Sequence, residues 1–215
     1  MPIRQLYHTW NQKMKELRPG EHRTRRRNFA WLLAGLILAR SVHQSRIAVK
    51  LPGRTKLLSR VRRLGRLLAN RAIRVRKWYG PIAKGLVKQM AVVGPVRLIL
   101  DGSKVGSGHQ LLLVALAYRR RAIPLAWTWV KGSKGHSSVP KQVALLQYVR
   151  TLIPPESDVL LVGDCEFGTG LLQKQLQAWK WDYVLRQKGR YLVKPAGQSM
   201  AQRLADLVDK PGQRV

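Results

Sequence analysis

Between Glu21 and Glu156 lie 134 residues with one carboxylate, Asp101; every other formal charge in the interval is positive. A chain built this way folds with almost no internal ion pairing, so its core has to come from apolar burial. Its surplus charge calls for an anionic partner. The apolar share is 45% of 215 residues, enough for a sizeable core, while the net charge is +31. A disordered basic tail is excluded by that apolar share. Nucleic acid is the first candidate partner, because basic side chains that neutralise phosphates release bound counterions. A membrane span is not indicated: the longest apolar run, "FAWLLAGLILA" (29–39), covers about half a bilayer. The start "MPIRQLYHTW" has no apolar signal core. The lone Cys165 excludes an internal disulfide or a cysteine-based zinc site. These features lead to the expectation of a soluble, cytoplasmic, nucleoid-associated protein with no membrane partner.

The charge is uneven. Residues 1–100 hold 24 Lys+Arg and 2 acids, a net of +22, and residues 101–215 hold 17 and 8, a net of +9. The first part reads as helices over 26–42, 45–51, 55–71 and 81–93, divided by Pro52-Gly53 and Gly80-Pro81. In "TKLLSRVRRLGRLLANR" the residues Leu57, Leu58, Val61, Leu64, Leu67 and Leu68 recur at helical spacing and predict one apolar face. Lys56, Arg60, Arg62, Arg63 and Arg66 take much of the remainder. Solvated helices normally interleave acids with such bases; this one has none. With "SVHQSRIAVKLPGR" before it, the segment predicts a helix–turn–helix-like unit with a basic DNA-facing side. A boundary is expected near residue 90, giving a helical DNA-binding region over 1–90 and a second domain over 91–215.

The second part turns to β-like runs. "VRLILD" (96–101) is an apolar strand ending in Asp101, followed by strands over 110–120 and 122–130. A helix over 137–153 comes next, with Ser137 or Ser138 as its N-cap. "DVLLVGD" (158–164) repeats the first pattern and ends in Asp164. A helix over 169–180, a strand over 181–188 and a helical stretch from about Ala196 complete the order. If the first and fourth strands are parallel neighbours, Asp101 and Asp164 emerge together. Two adjacent carboxylates repel unless a cation lies between them. A hard divalent ion such as Mg²⁺, or Mn²⁺ in its place, would bind both together with phosphate oxygens. Either acid alone is equally well read as a turn residue; the matching positions of the two are what favour chemistry.

"LILDGSKVGSGHQLLLVALAYRRRAIPLAWTWVKGSKGHSS" with "LLVGDCEFGTGLLQKQLQAWKWDYVLRQKGRY" resembles the DDE transposases of bacterial insertion sequences, in particular the group with a Tyr-Arg-Glu-Lys signature. The helical start, over about residue 25 onward, resembles that group's DNA-binding region. The resemblance implies an α/β chain: an all-helical DNA-binding region followed by an RNase H-like mixed β-sheet core. It also implies Mg²⁺- or Mn²⁺-dependent cleavage and strand transfer on double-stranded DNA, at transposon ends and target, with a homodimer on DNA as one arrangement. Asp101 and Asp164 then match the first and second catalytic, metal-binding acids. Arg186 matches a frequently basic DNA-contact position, and Phe167 an aromatic that packs or functions. Glu166 is a variant that need not bind metal. The third acid of the signature has no counterpart before Val215. The expectation is therefore an incomplete, C-terminally truncated core, with the alternative of a catalytically inactive end-binding or inhibitory module. Asp206 and Asp209 read as solvent-facing.

Other signals are weaker. "GSKVGSG" (102–108) lacks the GK[ST] ending of a phosphate-binding loop and reads as a hairpin link. "VKGSKGHSSV" (130–139), with Lys131 and Lys134, reads as a basic loop along a DNA backbone. Trp127 and Trp129 share one side of their strand, and core or sheet packing is expected for them. No cofactor-binding motif is present. A nucleoid structural protein would account for the charge but not for the two strand-end acids.

Overall fold

The computed structural model describes residues 2–132, 135–194, 197 and 199–207. The chain is a mixed α/β protein that divides into two compact units, Met1–Ile82 and Ala83–Val215.

The first unit is helical. Helix α1 (Ile3–Leu17) packs on α2 (Arg23–Ala39). Its Leu6 and Tyr7 are buried with Ala30 and Ala34 of α2, and the Tyr7 ring stacks on Trp31 at 3.8 Å. Helices α3 (Gln44–Lys50) and α4 (Leu57–Leu68) pack on each other and on α2. Leu32, Ile47, Ala48, Leu51, Leu64 and Leu67 form their common core. The apolar face expected of α4 is narrower than its leucine spacing implied. Leu64 and Leu67 are buried, whereas Leu57, Leu58 and Leu68 are 42%, 59% and 58% exposed. Leu64 and Leu67, with half-buried Val61 packed against them, are the α4 residues that join the common core.

Helix α5 (Val75–Val93) runs through Gly80-Pro81, where the sequence predicted a break. A proline inside a helix removes one N–H and leaves the carbonyl four residues earlier without its donor. Here that carbonyl belongs to Lys77, and Arg18 Nη1 donates to it at 3.1 Å. A long-range arginine thus replaces the missing bond. Arg18 and Arg25 also clamp Glu21, and Arg26 donates to the carbonyls of Arg18 and Pro19. Several arginines of the basic half are therefore internal fasteners.

The second unit is built on a five-stranded sheet in the order β3-β2-β1-β4-β5. Strands β1 (Val96–Val105), β2 (His109–Tyr118) and β3 (Arg121–Lys131) form an antiparallel meander. Helix α6 (Val139–Arg150) leads to β4 (Val159–Gly163), and α7 (Gly170–Ala178) leads to β5 (Asp182–Leu185). β4 lies parallel to β1 and β5 parallel to β4. Pro124 is tolerated because β3 is an edge strand and a register shift falls at that point. One sheet face is buried through Leu98, Leu100, Leu112, Val114, Leu116, Val159 and Leu161. Leu145, Leu146 and Val149 of α6 and Leu172 and Leu176 of α7 are buried as well, and these two helices also touch each other. In place of the helix expected from about Ala196 there is a two-stranded hairpin, β6 (Leu192–Val193) with β7 (Gln202–Arg203), and a 3₁₀ turn at Leu204–Leu207. Among the described residues, no helix is long and apolar enough to cross a membrane.

Candidate active site and nucleic-acid surface

The pairing of β1 with β4 decides the geometry. Their parallel register runs Leu98↔Leu161, Ile99↔Val162, Leu100↔Gly163. The next position on each strand is Asp101 and Asp164. Paired positions share a sheet face, and parallel neighbours lie about 4.8 Å apart. Asp101 therefore continues the row of Ile99, on the face opposite to buried Leu98, Leu100 and Leu161, and Asp164 directly follows Gly163, the last paired residue of β4. The sequence placed Asp101 at a strand end; in fact β1 continues to Val105, paired with β2. Asp101 stands where β4 has ended and β1 keeps only one neighbour, which leaves room on its β4 side.

The local bonds are few. Ser103 Oγ donates to Asp101 Oδ2 at 3.4 Å, and the backbone N–H of Glu166 donates to Asp164 Oδ1 at 2.9 Å. The ion pairs among the described residues join Lys13 to Glu16 and Glu21 to Arg18 and Arg25, so neither acid of the pair has a cation in contact. Oδ1 of Asp101 and Oδ2 of Asp164 have no bonded neighbour among the described residues. Two half-exposed carboxylates on adjacent strands suit Mg²⁺ or Mn²⁺, hard cations that take a few carboxylate oxygens and complete their shell with water and phosphate. Among the described residues, no group of three or more His, Cys, Asp or Glu could hold a metal.

Glu166 has a different role. Its carboxylate is buried and receives Gln110 Nε2 on both oxygens at 3.0 Å, with Ser137 N and Ser137 Oγ on Oε1. Gln142 Nε2 in turn donates to the carbonyl and hydroxyl of Ser137. Gln110 and Gln142 are fully buried, and the Oε1 atom of each has no hydrogen-bond partner among the described residues. Gly102 is what makes room for this: a Cβ there would lie 2.0 Å from Gln110 Nε2 and 2.9 Å from Glu166 Oε2. The network ties the turn after β4, which carries Asp164, to β2 and to the segment entering α6. Ser137 is thus a buried-network residue, and Ser138 occupies the N-cap without a side-chain cap bond. No spacing rule would have found this set, because Gly102, Gln110, Ser137 and Glu166 meet only in three dimensions.

The remaining expected residues fall as follows. Phe167 is fully buried and packs. Arg186 is exposed just past β5, its backbone N–H bonded to the Gly163 carbonyl at 3.0 Å, beside the Asp164 turn. Gly168 permits that approach, since a Cβ there would meet Gln187 Oε1 at 2.6 Å and the Arg186 carbonyl at 2.9 Å. Lys131 is exposed opposite His109, four residues along β2 from Leu113, the partner of Asp101. Lys134 and Asp209 lie outside the described residues. Asp206 is exposed on the 3₁₀ turn. In the helical unit Lys56, Arg62 and Arg66 are exposed and Arg63 is half-exposed. Arg60 is half-buried and donates from Nη1 to the Leu51 carbonyl, where it caps the end of α3. The link 51–56 is longer than the three or four residues usual between the helices of a helix–turn–helix. Trp127 and Trp129 share the sheet face of the acids, and Trp129 is 57% exposed, against the expectation of packing.

No protein-family model matches the chain, and a search of curated proteins finds no match.

Proposed function

We propose that this protein is a DNA-transaction enzyme of the insertion-sequence transposase type. In this reading, the second unit is an RNase H-like core for Mg²⁺- or Mn²⁺-dependent phosphoryl transfer, and the helical unit binds DNA. The observation that supports the reading is the β1–β4 register, whose last pair, Leu100 with Gly163, directly precedes half-exposed Asp101 and Asp164 in a chain of net charge +31. Such an ion supplies Lewis-acid stabilisation of the charge that develops in phosphoryl transfer. Asp101 and Asp164 would hold it. Glu166, Gln110 and Ser137 position the Asp164 turn, and Arg186 and Lys131 attract the phosphodiester backbone toward the pair.

A second reading has its own support. Among the described residues no third carboxylate joins the pair, and the nearest in sequence, Glu166, is consumed by the buried network. The chain would then bind DNA at element ends without cutting it. The discriminating experiment is nicking of supercoiled plasmid in Mg²⁺ or Mn²⁺, with Asp101→Asn and Asp164→Asn beside the parent. Metal-dependent nicking lost in both variants supports the enzyme. Salt-sensitive DNA binding without nicking supports the binding module.

A further inference from the structure

The tip of the β2–β3 hairpin breaks a local rule. Tyr118 pairs with Arg121, leaving Arg119 and Arg120 as a two-residue turn. Arg119 adopts φ 54°, in the left-handed region. Two-residue hairpins strongly prefer Gly, Asn or Asp where φ is positive, and an L side chain such as arginine is strained there. Three consecutive arginines at such a tip gain nothing for the fold from their charge. Arg119, Arg120 and Arg121 are all exposed, and no carboxylate pairs with them among the described residues. They line a shallow hollow with Tyr118 and Ile123, and the Arg119 guanidinium rests over the Tyr118 ring at 5.4 Å. The hollow therefore presents a partly ordered fork of donors, the geometry arginine uses for phosphate oxygens.

We infer that this hairpin tip is a phosphate clamp for duplex DNA, separate from the acid pair. The inference rests on the proposed reading only in taking DNA as the partner. Asp101 pairs with Leu113, five residues before Tyr118. At about 3.4 Å per residue the clamp stands about 17 Å along the sheet from the acids. With one phosphate per about 3.4 Å of helix axis on each strand, that is about five base pairs from the reacting bond. The clamp would hold flanking duplex while chemistry proceeds at the acid pair.

The test is binding of the full chain to a labelled 30-base-pair duplex across a salt series. The parent is compared with Arg119→Ala/Arg120→Ala/Arg121→Ala and with the equally charged control Lys88→Ala/Lys141→Ala/Lys174→Ala. Each lost phosphate contact lowers the slope of log affinity against log salt by about 0.9. The hairpin triple should lower it by about 2.7 and the control by less than one. Between 50 and 200 mM salt this amounts to about 40-fold less salt sensitivity. Arg119→Gly should lower the slope by about 0.9 while the melting temperature holds or rises, since glycine suits the turn. Equal losses in both triples, or an unchanged slope in the hairpin triple, would overturn the clamp. So would a lower melting temperature for Arg119→Gly, which would make Arg119 a structural residue. Failure of plasmid nicking would remove the catalytic reading and leave these outcomes intact.

Discussion

Gly102→Ala isolates the buried network beside the acid pair. The added methyl would stand 2.0 Å from Gln110 Nε2 and 3.2 Å from its Cδ, so the amide would have to swing away. It has no empty space to enter, because Gln110 is fully buried. The swing would break both contacts from Nε2 to the Glu166 carboxylate. A hydrogen bond to a charged group contributes about 1.5–3 kcal/mol, and alanine in a strand recovers about 0.5–1 kcal/mol over glycine. Treating the two contacts as one shared donor, we expect a net loss of about 0.5–2.5 kcal/mol from the second unit. In a Gln110→Ala background the same methyl no longer meets the amide and faces only Glu166 Oε2 at 2.9 Å, so its cost should fall. The assay is urea unfolding, followed through hydrogen exchange of amides in the β1–β2 ladder. With a slope of about 2 kcal/mol per molar urea, Gly102→Ala should move the midpoint down by about 0.3–1.2 M in the parent background and by less in Gln110→Ala. An equal shift in both backgrounds would show that Gly102 serves something other than the Gln110–Glu166 contact, and the reasoning would fail.

Three further outcomes are expected. Burial pushes the Glu21 carboxyl up, but hydrogen bonds from Arg25, His22 N–H and Arg18 outweigh it and hold the group below its ordinary 4.5. Its contribution is therefore present above the unfolded value and fades as pH falls through the folded one. Glu21→Gln should cost about 1 kcal/mol at pH 7 and nearly nothing in strong acid, as read by thermal melts across pH. Arg18→Ala should cost about 1–2 kcal/mol in the parent and less in Pro81→Ala, where the helix supplies its own donor to Lys77; guanidinium unfolding of the four combinations decides it. Millimolar Mn²⁺ should raise the melting temperature of the parent but not of Asp101→Asn, and Asp101→Asn without metal should melt above the parent because one repelling charge is gone. Failure of both shifts would separate the two carboxylates.

Much of this protein was legible before any tertiary contact. Apolar runs separated by Gly and Pro located most helices, and all five strands of the main sheet, because period and punctuation are local properties of the chain. The alternative at Pro81 was not legible, since the helix survives there only through Arg18, some sixty residues away. The width of the α4 core face was not legible either, because it depends on which of its leucines the fold covers. Arg60 and Glu166 were each assessed by residue type and position. Their actual roles, capping Leu51 and anchoring Ser137, depend on which groups the fold brings within reach. The sequence alone determined two acid-bearing strands in a strongly basic chain. Only the sheet order decided that they are parallel neighbours in a register whose last pair directly precedes Asp101 and Asp164, because strand pairing is a long-range choice made by burying one common face.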